Sequence, residues 1–199
     1  MLKAFDVDRL TTTMRAKLVA SCHADAYAAV LAEMQTPLAL KMRELEFEPL
    51  SSPETIKSMQ RYIASFPMQS PRESRMNLIY KFMDTTREAE TSTDEALQVV
   101  VVMTHTAFRT SPSKEQLAEA RAEMLSRIRE ITKARTYYIY RTASDEELQQ
   151  YTTMLATPAA QQLNHDVEKA LVFAFTQEAT DLAEQIKKVA TEEKVKHGE

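Results

Sequence analysis

Apolar side chains in this chain recur at the spacing of a helix. Leu117, Ala120, Met124, Ile128, Ile131 and Tyr138 follow one another at steps of three, four, four, three and seven residues, which places them on one face of a long helix. Five of the seven prolines follow Ser or Thr, at Thr36-Pro37, Ser52-Pro53, Ser70-Pro71, Ser111-Pro112 and Thr157-Pro158. Each pair reads as an N-cap followed by proline at the first helical position, where its fixed φ suits the helix and its missing N–H costs nothing. Ser144-Asp145-Glu146-Glu147 is a capping box, as are Ser70-Pro71-Arg72-Glu73 and Ser92-Thr93-Asp94-Glu95. This punctuation predicts eight helices: Val7 to Met34, Pro37 to Glu46, Pro53 to Phe66, Pro71 to Arg87, Thr93 to Phe108, Ser113 to Arg141, Asp145 to Ala156, and Pro158 to about Glu193. The four valines of Val99 to Val102 favour a strand locally, but no other segment offers partner strands, so the stretch is read as helical.

Composition sharpens the fold class. The chain has 199 residues and one glycine, Gly198, where average usage of about 7% would give about fourteen. That scarcity counts against tight hairpins, phosphate-binding loops and nucleotide folds, which need positive φ or close backbone approach. The expected class is all-α. A net charge of −4, from 25 basic and 29 acidic side chains, gives a mixed surface with no global field to attract nucleic acid or anionic lipid. Cys22 is the one cysteine, so neither a disulfide framework nor a cysteine metal cluster is expected. No charged-then-apolar leader follows Met1, and no run of about eighteen apolar residues occurs. These features predict a soluble chain with no transmembrane segment.

Laying His23 to Met42 on Ser144 to Leu163, an offset of 121, superposes Thr36-Pro37 on Thr157-Pro158. Tyr27, Val30, Met34, Leu38 and Met42 then fall on Leu148, Tyr151, Leu155, Ala159 and Leu163, which preserves the apolar register. The register predicts two related helix–break–helix units in one compact bundle. An N-terminal unit would cover 1–110, with an insertion from Pro49 to Phe108, and a C-terminal unit would cover 111–199. The first helix should then break near Ser21 to His23.

The residues Asp145-Glu146-Glu147-Leu148, Tyr151, Met154-Leu155 and Thr157-Pro158-Ala159-Ala160-Gln161 resemble the bacterial domain of unknown function 2059 family. That family's signature is an acidic helix start, an aromatic or apolar pair, and a Ser/Thr-Pro-x-Gly-Gln turn. The resemblance covers about residues 127–178, with a degenerate second copy near residues 5–45. The chain departs from the signature at Ala160, where glycine is usual, and at Met154-Leu155, where aromatics are common. The resemblance implies an all-helical periplasmic protein whose motif residues Ser144, Glu147, Tyr151, Thr157, Pro158, Ala160 and Gln161 are structural, with no catalytic residue to carry over. A cytoplasmic location is the alternative.

Candidate chemistry is sparse. His165, Asp166 and Glu168 could bind a divalent cation, but residues one apart on a helix diverge by about 100°, so a surface histidine is the expectation. His105 could be a buried base, and a core or boundary histidine bonded to a backbone carbonyl is expected instead. His23 and Asp25 flank the suspected break and suit capping, and Cys22 reads as a small buried hydrophobe. Arg121, Arg127, Arg129, Lys133, Arg135 and Arg141 interleave with Tyr137, Tyr138 and Tyr140, but scatter around the helix among Glu119, Glu123 and Glu130. A solvated helix with tyrosines at its core-facing end is expected. Eleven methionines suit either adaptable grooves or core packing, and Met14, Met34, Met42, Met76, Met103 and Met124 stand at core positions. The expectation is a non-enzymatic interaction module of the bacterial envelope, with no metal or cofactor. Its partner would be an envelope protein. The alternative is a carrier holding a hydrophobic small molecule or lipid in an apolar pouch, which must show an internal apolar cavity or co-purifying lipid.

Overall fold

Helix makes up 88% of the described residues and strand none. The computed structural model describes residues 6–20, 24–68 and 71–197, and their side chains except at 24–26, 107, 108, 187 and 190–197. Its α-helices are α1 (Val7–Ala20), α2 (Ala24–Glu33), α3 (Pro37–Phe47), α4 (Pro53–Ser65), α5 (Glu73–Thr86), α6 (Glu88–Phe108), α7 (Lys114–Ile139), α8 (Asp145–Leu155) and α9 (Pro158–His197). Short 3₁₀ turns at Glu48–Leu50 and Phe66–Met68 bracket α4. The all-α class holds, and the valine run lies inside α6 as a helix. The described helices number nine where eight were expected, because the span from Val7 to Met34 contains two. The break expected at Ser21 to His23, with Cys22 and His23, lies outside the described residues, as does the side chain of Asp25.

Local capping decides most helix starts. Ser52 and Thr55 form a reciprocal box, with Thr55 N donating to Ser52 Oγ at 3.2 Å and Ser52 N to Thr55 Oγ1 at 3.1 Å. Three expected caps differ. Ser113 rather than Ser111 caps α7, accepting from Gln116 N at 3.2 Å while its own N–H reaches Gln116 Oε1 at 2.8 Å. α5 begins at Glu73 behind Arg72, whose side chain makes no cap, and Ser70 lies outside the described residues. Ser92 to Glu95 lies within α6, which starts at Glu88 because Arg87, left-handed at φ 53, makes the whole turn after α5. Arg87 stands in the position after a helix end where glycine is the usual choice.

The chain forms two compact units, and neither is a contiguous half. One comprises Met1–Cys22, Thr91–Met124 and His165–Glu199; the other comprises His23–Glu90 and Leu125–Asn164. The boundary expected between 110 and 111 therefore falls inside the first unit, and both Thr-Pro breaks belong to the second. Long helices are the reason, since α6, α7 and α9 each carry residues of both units.

The second unit has a core of large side chains. Met42, Ile79, Phe82, Met83, Tyr140, Leu148 and Tyr151 are buried together, and α5 lies against α8. Edge contact between Phe82 and Tyr140, with ring centroids 5.0 Å apart, adds to the burial. The first unit is different. Among the described residues its fully buried apolar side chains are Ala170, Ala174, Ala179 and Ala183 of α9, while Val99, Val101, Val102 and Met103 are half-buried. Arg9 of α1 pairs with the buried Glu178 of α9 and, at 2.7 Å, with Asp181. Arg9 thereby holds the Glu178 carboxyl below its ordinary range.

Candidate functional site

The Thr-Pro motif is a joint at which α8 ends and α9 begins. Ser144 Oγ accepts from Glu147 N at 3.1 Å and Glu147 Oε2 accepts from Ser144 N at 2.9 Å, the reciprocal box expected from the sequence. Glu147 also receives Lys41 Nζ at 2.5 Å, which ties α8 to α3 and lowers the Glu147 carboxyl from its ordinary value. Thr157 Oγ1 donates to Met154 O at 3.0 Å and accepts from Ala160 N at 3.4 Å, so it closes one helix and opens the next. Pro158 occupies the first position of α9. Gln161 completes the joint: its Nε2 donates to Leu155 O at 2.7 Å and to Thr85 O at 3.1 Å, satisfying end carbonyls of both α8 and α5. Ala160 is buried at 6% exposure.

Thr36 repeats this geometry. Its Oγ1 donates to Glu33 O at 2.8 Å and accepts from Ala39 N at 3.4 Å, and Leu40 N reaches Thr36 O at 3.0 Å as Gln161 N reaches Thr157 O at 2.9 Å. Tyr27 and Leu148, Val30 and Tyr151, and Ala39 and Ala160 are each buried as pairs at the same offset of 121.

Tyr151 takes part in a polar knot within the core. Tyr140 Oη donates to Glu46 Oε1 at 2.5 Å and Tyr151 Oη donates to the same oxygen at 3.0 Å. Burial, then the Glu46 charge, push both phenols well above the ordinary tyrosine value. They remain neutral donors, unsuited to proton transfer near neutral pH.

Arg75 is a buried structural tie that the sequence did not reveal. It is 5% exposed and spans the connection from α7 to α8, donating from Nη2 to Tyr140 O at 2.6 Å and Ala143 O at 3.0 Å, and from Nη1 to Asp145 Oδ1 at 2.9 Å. One signal was available: Arg75 shares the α5 register of Ile79, Phe82 and Met83, and a cation on a buried stripe needs built partners.

The remaining candidates separate. His165 is exposed, as expected. His105 is also exposed, with Nδ1 3.2 Å from Ser111 Oγ, which corrects the expectation of a core or boundary histidine bonded to a backbone carbonyl; it points outward from a half-buried valine run. Asp166 is buried, and Glu168 accepts from Thr91 Oγ1 at 2.7 Å. Among the described residues no three His, Cys, Asp or Glu side chains converge to hold a metal ion. Along α7 the cations engage carboxylates: Arg121 with Asp94, Arg129 with Asp84 and Glu90, Lys133 with Glu130, and Arg135 with Glu88, while Arg141 just beyond the helix pairs with Glu48. Tyr140 is buried and Tyr137 and Tyr138 half-buried, the core-facing end expected of them. Of the six methionines assigned to the core, Met42 is fully buried and Met14, Met34, Met76, Met103 and Met124 are half-buried.

The single apolar face expected of α7 is also corrected. Thr132, Ala134 and Thr136 are its buried positions, Ala120 is exposed, and Ile131 is 52% exposed. Ile131 instead lines an open groove of about 370 Å³ in the second unit, together with Ile63, Phe66, Met76 and Ala134. Pro67 and Pro71 complete the apolar wall, and Glu130 and Lys133 supply the charge. Phe66 is fixed between Tyr62 and Tyr137, at centroid distances of 5.9 and 5.5 Å, so the wall is braced.

No protein-family model matches the chain, and no curated protein or solved structure matches it.

Proposed function

We propose that this chain is a non-enzymatic helical interaction module of the bacterial envelope, and that it engages a partner protein through the groove around Ile131. The observation that carries the reading is the groove itself, an open apolar surface built on a braced wall, with the ionic residues Glu130 and Lys133 paired to each other. Its walls are helix side chains and two prolines, which offer no sheet edge for an added strand; an amphipathic helix is the occupant that fits. Relation to the domain of unknown function 2059 family rests on the motif residues, and the envelope location rests on that relation. The matching hydrogen bonds at Thr36 and Thr157 support reading the two breaks as a duplicated helix–break–helix element. Catalysis and a nucleic-acid partner form no part of the proposal.

A carrier of a hydrophobic small molecule is the second reading, favoured by a volume within the ~300–1,000 Å³ range of ligand pockets. Mass spectrometry of small molecules extracted from the purified native protein separates the two. A stoichiometric lipid or apolar ligand, lost in Ile131→Asp, supports the carrier; protein free of any such ligand supports the module.

A further inference from the structure

A carboxyl group in the first unit has no use in the groove. Glu95 lies on the half-buried side of α6, and its Oε1 is shut off from solvent without a hydrogen-bond partner. The charge that acts on it is that of Glu168 on α9, whose Oε1 receives the Thr91 hydroxyl at 2.7 Å, one helical turn before Glu95. From α7, Arg121 turns its guanidinium to Asp94, at 2.7 and 3.2 Å. Glu95 thus feels the Glu168 charge from α9, with its Oε1 sealed from solvent and, among the described residues, unbonded.

We propose that Glu95 is a proton-operated latch between α6 and α9, which closes the first unit tightly in mild acid and loosens it when the carboxyl is charged. The physical origin is a carboxylate that burial has stripped of water and that a second carboxylate repels, both of which disfavour its charged form. Burial first, then the Glu168 charge, raise the Glu95 pKa above the ordinary glutamate value. Between the unfolded and the folded value, the folded unit therefore holds a proton that the unfolded chain has released. The resulting stabilisation is complete below the unfolded value of about 4.3 and is lost as pH rises through the folded one. Among the described residues few large side chains are fully buried in this unit, and its sealed apolar residues are alanines, so one group counts for more there than in the second unit. The latch is independent of the groove, which belongs to the other unit.

Hydrogen exchange of the full chain tests the latch through the protection factors of α6 amides, corrected for the intrinsic pH dependence. They should be higher at about pH 5 than at about pH 7.5, because the raised carboxyl keeps in the closed unit a proton that the opened one releases. Glu95→Gln should show the high protection at both pH values. A Glu95 variant that keeps the wild-type pH dependence, or wild-type protection that does not change, overturns the proposal. NMR titration of the Glu95 carboxyl carbon in the wild-type chain decides independently of any variant: a midpoint above the ordinary glutamate range supports the latch, and one within that range refutes it.

Discussion

Replacing Arg75 by Met tests how the joint between α7 and α8 is held. Met keeps the aliphatic stem in place but removes the guanidinium, which leaves Tyr140 O and Ala143 O without the donors at 2.6 and 3.0 Å. An orphaned buried acceptor costs about 1–3 kcal/mol. Asp145, the third partner, is 38% exposed and can be rehydrated, so its contribution is small. The expected destabilisation is about 1–3 kcal/mol, from Ala143 O alone, because Tyr140 O keeps the Ala143 N–H at 2.9 Å. Arg72→Met is the matched control. Arg72 contacts the same Asp145 at 3.2 Å but is 76% exposed, and an exposed pair contributes between about 0 and 1 kcal/mol. Urea unfolding of both variants against wild type measures the difference. If the two lie within about 0.5 kcal/mol of each other, burial of Arg75 has no energetic consequence and the clamp is wrongly assigned.

Four further substitutions probe the helix joints. Thr157→Ala should lower stability by about 1 kcal/mol in urea unfolding, the usual cost of an N-cap. Ala160→Leu should cost about 1–3 kcal/mol by overpacking a site 6% exposed, and Ala160→Gly about 1 kcal/mol or less; an unchanged midpoint for Leu would contradict the burial. Arg87→Gly should raise the thermal midpoint, because an exposed non-glycine residue at φ 53 carries a backbone cost of about 1 kcal/mol.

What the sequence made legible is what short segments decide. Ser52, Ser144, Thr36 and Thr157 cap helices because their partners lie within three residues, and helix spacing without glycine excluded sheet. Ser92 misled for the opposite reason. Its box is complete in sequence, yet helix α6 is already under way from Glu88, and Thr93 within that box is fully buried. Arg87 and Arg109, both at φ 53, show that scarce glycine does not remove positive φ when a helix must end sharply. Arg75 and Glu46 were illegible because their partners stand about 65 to 105 residues away, and the spacing of one helix cannot report which neighbour covers its face. Ile131 follows from the same limit, since its register is apolar while its surroundings form an open groove. The division of the chain followed the contacts of three long helices, which no single composition shift marks.

The central claim is that the groove at Ile131 receives a protein. A photo-crosslinking amino acid at position 131, in the full chain expressed in its native host, measures this directly, because that half-exposed position can accept a new side chain without disturbing the core. Irradiation should yield one discrete protein adduct, reduced when Met76→Asp is added to the groove wall. An adduct of lipid mass, or no adduct beyond that given by a photo-crosslinker at the exposed Lys57 on α4, would contradict it.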